Sequence, residues 1–309
     1  MIYAPDYYPQ FRCIADACRH SCCVGWEIDI DPDTRAAYAA LGGSIGAQLA
    51  AAIDDSTEPA HFRLTADERC PFLRADGLCA LILELGEDSL CRICADHPRF
   101  RNFFSGRTEL GLGLCCEAAG ALILGQPAPM RIIPFEDDGD DMPLDPEETD
   151  LLALRENLLA IVADAARPLD ARLASVLRRA GASPSDRTMD DWRQIYLGLE
   201  RLDPAWDTVL AELTDRPIPA DSAEPLARLC AYFLYRHLPA ALDDGRIAER
   251  TAFAVLSTCV VAALFAAGEP TMERLVELAR MYSSEIEYDE DNVEALLAEL
   301  AANHKSTVG

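Results

Sequence analysis

The chain has 309 residues, 50% of them hydrophobic and 26% charged, which is enough for two domains and a sizeable buried core. This composition excludes a mainly disordered or collagen-like protein. The formal net charge of −26 predicts that neither nucleic acid nor an anionic membrane surface is a partner, because the overall field of the protein repels both.

Residues 1–133 are predicted to form a Cys-rich, metal-binding N-terminal domain of short irregular elements. Within it, residues 32–53 have the pattern of a helix that begins at an Asp cap, although three glycines weaken its middle. The pair Asp76-Gly77 predicts the turn of a short hairpin. Residues 114–124 have the apolar character of a further helix.

The rest of the chain is predicted to be helical, so the fold class is mostly α. Residues 134–150 are predicted to be an acidic linker, since like charges repel one another and the prolines interrupt regular structure. Residues 151–309 are predicted to form a C-terminal helical bundle, in which the apolar run 252–267 is too short to span a membrane and is expected to be a buried central helix. The expected helices start at Asp145-Pro146 and at Thr188, and cover 223–241, 246–267, 270–283 and 290–302.

Cysteine is the most informative residue type. Of the 12 cysteines, all but Cys230 and Cys259 lie between Cys13 and Cys116. The N-terminus has no basic segment followed by an apolar run, so we expect no secretory signal and a cytoplasmic location, where thiols stay reduced. Such a concentration of reduced thiols predicts metal ligands and not disulfides. The two late cysteines fall in apolar helices and are expected to pack in the core.

The spacing of the early cysteines leaves the metal and the number of sites open. Cys91 and Cys94 are suited to chelation, because a tight turn lets both thiolates reach one ion. Zinc takes four thiolates or a Cys/His mixture and an iron–sulfur cluster takes about four Cys, so ten thiols can serve two sites. Two adjacent cysteines do not easily point at the same ion, which favours two neighbouring sites or one packed thiol in each pair. His20 and His97 are either further ligands or ordinary surface histidines.

The cysteines lie in four motifs within residues 10–124. These are Cys13-x4-Cys18-x3-Cys22-Cys23-Val-Gly25-Trp26, Cys70-Pro-Phe-Leu with Asp76-Gly77-Leu-Cys79, Leu90-Cys91-x2-Cys94-x3-Pro98-Arg99, and Leu114-Cys115-Cys116-Glu117. Together they resemble the flagellin lysine-N-methylase family, which is related to a wider group of Cys-x2-Cys-x2-Cys-Cys zinc- or iron-chelating proteins.

The resemblance implies an enzyme that transfers methyl groups from S-adenosylmethionine to lysine side chains of flagellin. It also implies a Cys-ligated iron–sulfur cluster of the [4Fe-4S] type, with zinc as the alternative. The family has Pro where this chain has Cys116, which makes Cys115 the matching ligand, and it often has Tyr in place of His97. The implied metal ligands are Cys13, Cys18, Cys22, Cys23, Cys70, Cys79, Cys91, Cys94 and Cys115.

The sequence does not indicate where S-adenosylmethionine binds or which residue is the catalytic base. The short Gly111-x-Gly113 is a weak signal because it precedes Cys instead of a strand-to-helix crossover. The radical-enzyme spacing Cys-x3-Cys-x2-Cys is absent, and the helical pattern disfavours a Rossmann-type methyltransferase fold. Residues beside the predicted ligands are candidates for substrate contacts or for support of the ligands, each with an ordinary alternative as a cap, surface pair or core aromatic: Trp26, Asp96, Arg99 and Glu117.

The expected partner is a lysine-bearing protein, with flagellin implied by the resemblance. The acidic excess of 53 Asp and Glu over 27 Lys and Arg suits a basic partner, and Lys305 is the sole lysine of the chain. A GC-rich coding sequence is the favoured explanation of the lysine shortage, ahead of an advantage to a lysine-modifying enzyme that lacks lysines of its own. Two other functions stay open: a non-catalytic zinc- or iron-binding protein, and a metalloenzyme that modifies another peptide.

Overall fold

The computed structural model describes residues 1–139 and 142–308, with side chains described as far as residue 302 apart from residue 220. Asp140 and Asp141 of the predicted linker, and the side chain of Lys305, therefore lie outside the described residues. The chain divides into two compact units. Arg12–Phe100 forms one, called here the thiol unit, and Met1–Phe11 with the chain from Arg101 onward forms the other, called the helical unit. The predicted boundary after residue 133 falls inside the helical unit.

Most of the described chain is helical, as predicted, with two small sheets in addition. The strands are β1 (Ile2–Pro5), β2 (Asp29–Ile30), β3 (Ile53–Asp54), β4 (Ala60–Phe62), β5 (Arg99–Phe104), β6 (Arg107–Leu112) and β7 (Ile132–Glu136). The α-helices are α1 (Pro32–Ala40), α2 (Gly43–Ala52), α3 (Ala80–Leu85), α4 (Arg92–Asp96), α5 (Glu117–Leu124), α6 (Pro146–Val162), α7 (Leu169–Arg179), α8 (Met189–Leu197), α9 (Ala205–Leu210), α10 (Ala223–His237), α11 (Ala241–Asp244), α12 (Ile247–Phe265), α13 (Met272–Tyr282) and α14 (Glu290–Val308), and a π-helical turn, Ser283–Glu287, follows α13.

In the thiol unit, the prediction of a single helix over residues 32–53 is wrong, because the chain forms two helices there, α1 and α2. Asp31 caps α1 as predicted, its side chain accepting a backbone N–H of the first turn at 3.1 Å. The break occurs at the glycines: Gly43 has φ +71°, a conformation that glycine adopts without strain. A Cβ on Gly46 would lie 2.1 Å from the carbonyl oxygen of Leu41, so only glycine allows α2 to follow so closely on α1.

The thiol unit also contains a three-stranded antiparallel sheet in the order β2-β4-β3, which the sequence did not predict. The hairpin predicted at Asp76-Gly77 is confirmed, since Leu73 and Cys79 form an antiparallel bridge around it and Gly77 has φ +81°. The apolar core of this unit is built from both sheet and helix residues: Ile28, Ile30, Tyr38, Leu49, Ile53, Phe62, Cys70, Phe72, Leu81 and Cys91.

The helical unit contains a four-stranded sheet in the order β5-β6-β1-β7, in which β1 is parallel to β6 and antiparallel to β7. This sheet brings the first residues of the chain beside strands more than a hundred positions later, so that Tyr3 pairs with both Glu109 and Pro134. The helix predicted over 114–124 begins later than expected, at Glu117, with Cys116 at its N-cap.

The predicted helices of the second half are confirmed to within a few residues. Asp145 and Glu148 form a capping box at the start of α6, and Thr188 caps α8. Helix α12 is the buried central helix that the apolar run predicted, with α10, α13 and α14 packed against it. It is the only helix of the described residues whose length and composition would suffice to cross a membrane, and 72% of its most apolar stretch is buried inside the protein.

Candidate functional site

Five cysteines of the thiol unit meet at one core. Cys70 and Cys91 are buried in it, and the partly buried Cys23, Cys79 and Cys94 pack against it. Backbone pairing holds two of them together: the N–H of Cys70 donates to the carbonyl of Cys23 at 2.8 Å. Cys79 and Cys91 each stand at the N-cap of a short helix, α3 and α4. We call these five side chains the thiol cluster.

The thiols of the cluster act on one another electrostatically. Burial, together with the charges of Cys23, Cys79 and Cys91, raises the pKa of Cys70 to about 12. The thiol of Cys94 donates to Cys91, which lowers the pKa of Cys91 and raises that of Cys94. Several thiolates cannot coexist in this core without a compensating positive charge.

Backbone N–H groups point at three of these sulfurs: the N–H of Phe72 at Cys70, those of Leu81 and Ile82 at Cys79, and that of Cys94 at Cys91. Such donors stabilise a thiolate, which is the form that binds metal. A soft, all-sulfur donor set of this kind fits zinc or an iron–sulfur cluster, either of which needs about four of the five thiols. No group of three or more His, Cys, Asp or Glu side chains is already placed to hold a metal ion among the described residues. The ligand set therefore stays a prediction.

The remaining predicted ligands lie elsewhere. Cys22 is exposed beside Cys23, and its hydrogen bond is the main cause that lowers the pKa of Cys23 to about 7. Cys13 is exposed and its sulfur accepts from the N–H of Ala15 at 3.4 Å. The thiol of Cys18 donates to the carbonyl of His20 at 3.2 Å. Cys115 belongs to the helical unit.

Trp26 and His97 support the segment that carries Cys22 and Cys23. The indole N–H of Trp26 donates to the carbonyl of Cys22 at 2.7 Å, and its ring centroid lies 6.2 Å from that of His97. Burial, and then the charge of Arg99, lower the pKa of His97 to about 4, so this imidazole is neutral at physiological pH. Trp26 thus fixes the backbone carbonyl of Cys22, next to Cys23 of the cluster, and its role in supporting a ligand stays a prediction.

Cys115 lies beside a buried polar network that the sequence did not indicate. The hydroxyl of Tyr288 donates to its thiol and accepts from the guanidinium of Arg236. Glu287, whose side chain is fully buried, pairs with Arg236 at 3.4 Å and with Nε2 of His237 at 2.6 Å. Arg236 and His237 end a long apolar helix, where a basic pair ordinarily interacts with the helix dipole, and this explains why their role was missed.

The other candidates have ordinary surroundings. Cys230 is buried in α10 and Cys259 is partly buried in α12, which fits the packing role expected of them. Burial raises the pKa of Cys230 to about 12 and that of Cys259 to about 11. Glu117 is buried in the first turn of α5. Gly111 of the short Gly-x-Gly lies within β6 and does not open a helix.

Two lysine-N-methylases, from Salmonella typhimurium and Salmonella choleraesuis, are each 25% identical to this chain over 209 residues, which is 63% of this chain and 52% of theirs. The chain is related to these lysine-N-methylases. A flagellar biosynthetic protein FliU from Salmonella muenchen is 28% identical over 137 residues, 41% of this chain and 79% of that protein. The chain spans about half the length of the two lysine-N-methylases. No family model and no solved structure matches it.

Proposed function

We propose that the chain is a cytoplasmic protein-lysine N-methyltransferase that uses S-adenosylmethionine and acts on flagellin. The observation that carries the proposal is the relationship to two lysine-N-methylases in a chain that gathers five thiols in one core. The flagellar name of the third relative supports a flagellar protein as the substrate.

The chemistry requires a neutral lysine amine held in line with the sulfonium methyl group. The lone pair of Nζ forms a bond to the methyl carbon, the carbon–sulfur bond breaks, and its electron pair stays on the sulfur of the product thioether. Lysine is protonated at neutral pH, so the site must lower its pKa by desolvation or accept its proton. An acidic surface favours the protonated amine and therefore serves to recruit lysine and not to activate it.

The thiol cluster is the proposed metal centre, with an iron–sulfur cluster, [4Fe-4S], favoured over zinc on the strength of the resemblance. Cys23, Cys70, Cys79, Cys91 and Cys94 are the thiols that would hold it. When bound, such a group supplies folding free energy to a small unit, and iron with an open position supplies a Lewis acid. The polar network at Cys115 is the second place where this chain gathers the kind of groups that active sites use.

The test is to purify the protein without oxygen, measure its iron, zinc and visible spectrum, and incubate it with S-adenosylmethionine and flagellin. We expect broad absorption near about 400 nm from the iron–sulfur centre. Mass spectrometry should find methylated lysine in flagellin and none in an unrelated lysine-rich protein. Absence of methylation with every lysine-bearing partner tried would refute the proposal.

A non-catalytic metal-binding role is the second candidate, because five thiols gather in one core whereas the described residues give no general base for methyl transfer. A metal-loaded protein that neither binds S-adenosylmethionine nor methylates any protein would favour it. The third candidate is a metalloenzyme that modifies another peptide. It predicts that the protein binds the cofactor and methylates or otherwise modifies a small peptide instead of flagellin.

A further inference from the structure

Two members of the thiol cluster, Cys91 and Cys94, contact each other directly, and we call them the α4 pair. The thiol of Cys94 donates to the sulfur of Cys91, and the backbone N–H of Cys94 points at the same sulfur. Cys91 is the N-cap residue of α4, and Cys94 is the third residue of that helix. A side chain at the N-cap lies over the third helical residue, which explains why these two side chains meet.

The spacing of the α4 pair suits a disulfide. Disulfides join residues whose Cα atoms lie about 4.4–6.8 Å apart and whose side chains point toward each other. With the rise and radius of an α-helix, Cα atoms three residues apart are separated by roughly 5 Å, which is within that range. The hydrogen bond between the two thiols shows that their side chains already point toward each other.

Two other pairs of the thiol unit compare less well. Cys22 hydrogen-bonds to Cys23, but the Cα atoms of adjacent residues are about 3.8 Å apart, which is too close for an ordinary disulfide. Cys23 and Cys70 lie opposite each other, next to the antiparallel bridge between Val24 and Arg69. This opposed pair is the main competitor, and the α4 pair is favoured over it because its two sulfurs already share a hydrogen bond.

The α4 pair lies at the border of the core. Cys91 is only 1% exposed, whereas Cys94 is partly exposed, so a small oxidant can reach the pair from the Cys94 side. Two residues separate the cysteines, and a disulfide that closes so short a loop constrains the unfolded chain little. Such a bond adds little stability, which suits a bond that is formed and reduced repeatedly.

Oxidation of the α4 pair changes what the cluster can bind. It removes two of the five thiols and leaves three, whereas zinc or an iron–sulfur cluster needs about four. We propose that Cys91 and Cys94 form a reversible disulfide, and that this disulfide prevents the thiol cluster from binding metal. The second half of this inference rests on the proposed metal centre, and the first half does not.

The oxidant we assign is hydrogen peroxide. One thiol attacks a peroxide oxygen, so that a sulfur–oxygen bond forms, the oxygen–oxygen bond breaks and water leaves. The other thiol attacks the resulting sulfenic acid, so that the sulfur–sulfur bond forms and a second water leaves. The two sulfurs together give up two electrons and two protons, which reduce the peroxide to water. A dithiol reductant reverses the reaction by thiol–disulfide exchange.

The experiment uses full-length protein that is purified without oxygen, freed of metal with a chelator and a reductant, and then treated with one equivalent of hydrogen peroxide. Free thiols are blocked with N-ethylmaleimide, and disulfides are mapped by mass spectrometry. Trypsin cleaves after Arg92, between the two cysteines, so their disulfide joins two peptides. Fragmentation distinguishes Cys91 from Cys79, which lies in the same tryptic peptide. Zinc affinity is measured against a chromophoric chelator before oxidation, after oxidation and after reduction.

In the wild-type protein, the number of free thiols should fall by two from the 12 of the sequence, with Cys91–Cys94 as the main disulfide. Zinc binding by the cluster should be lost, and reduction should restore both the thiols and the zinc affinity. Two variants serve as matched controls. Cys79→Ser removes another thiol of the cluster and should form the same disulfide, whereas Cys94→Ser should not lose a pair of thiols. The map of the wild-type protein does not depend on whether either variant folds.

The outcomes separate this inference from the proposed function. A main disulfide between Cys23 and Cys70, or between any other pair, would refute the assignment, and so would thiols that reduction does not recover. If the oxidised α4 pair leaves the zinc affinity unchanged, the disulfide does not control metal binding and the second half is wrong. If the reduced protein binds neither zinc nor iron, the proposed metal centre fails together with the second half, and the disulfide map still decides the first.

Discussion

Replacement of Arg155 by Met is the perturbation whose cost the structure defines best. Arg155 donates two hydrogen bonds to Glu109, at 2.7 and 2.6 Å, and both side chains are buried, at 1% and 0% exposure. They join α6 to β6. Removing one partner of such a pair costs about 3–5 kcal/mol, because the other charge is left buried. Arg107 also contacts Glu109, at 2.6 Å, and partly compensates it, so the lower end of the range is expected.

A loss of about 3 kcal/mol corresponds to a fall of roughly 6–12 °C in the unfolding temperature of a unit this size. Thermal and urea unfolding followed by circular dichroism would measure it. The matched control is Arg131→Met, since Arg131 pairs with Asp6 at 3.1 Å but is 77% exposed, and its loss should cost less than about 1 kcal/mol. Adding Glu109→Gln to Arg155→Met should recover part of the loss. An Arg155→Met protein within about 1 kcal/mol of wild type would refute this account of the pair.

Three further predictions concern the thiol unit and the surface. Cys91→Ser and Cys94→Ser should lose metal and destabilise the thiol unit, whereas Cys230→Ser and Cys259→Ser should keep the wild-type metal content measured by elemental analysis. Folding lowers the pKa of His97 from 6.5 to about 4, so the unfolded chain binds the proton more readily than the folded protein. The free energy of unfolding should therefore fall as the pH drops from 6.5 to about 4, and His97→Gln should make this pH dependence weaker. An unchanged slope in the variant would contradict the neutral buried state of His97. The affinity for a lysine-rich substrate should fall as the salt concentration rises, because exposed charges are screened beyond about 8 Å at physiological salt. The affinity for S-adenosylmethionine should change little. Substrate binding that does not depend on salt would contradict electrostatic recruitment.

Local signals allowed most helices to be predicted. The starts of α6 at Asp145-Pro146 and of α8 at Thr188 depend on residues within one helical turn, so both starts can be predicted from the local sequence. The prediction of one helix over residues 32–53 failed because the local signal was misinterpreted. There the glycines were treated as a weakness of one helix, whereas the backbone conformation of Gly43 and the tight approach at Gly46 make them the junction of two.

Long-range pairing was beyond the reach of the sequence argument. Strand β1 is only four residues long and lies between β6 and β7. Its own sequence has no strong strand pattern, so its place in the sheet depends on pairing with strands far away in the chain. This pairing draws Met1–Phe11 into the helical unit, where the sequence had predicted them to belong with the cysteines. The thiol cluster was partly foreseeable: the spacing identified its members among nine predicted ligands, but only the fold separates the five that share a core from Cys13, Cys18, Cys22 and Cys115.

The two groups of polar side chains differ in how their positions are fixed, and this bears on what each can do. The thiols of Cys70, Cys79 and Cys91 are held by backbone N–H groups of short turns, so the proposed metal would complete their arrangement as the small unit folds. Glu287 and Arg236 are instead held by one another and by the side chain of Tyr232 within the helical core. Preorganised charge of the second kind is what catalysis and precise binding require, because the cost of orienting the groups is met during folding and not in each reaction cycle. On the proposed function, the helical unit is where the groups that act on substrate are expected, and the thiol unit is where the metal is expected.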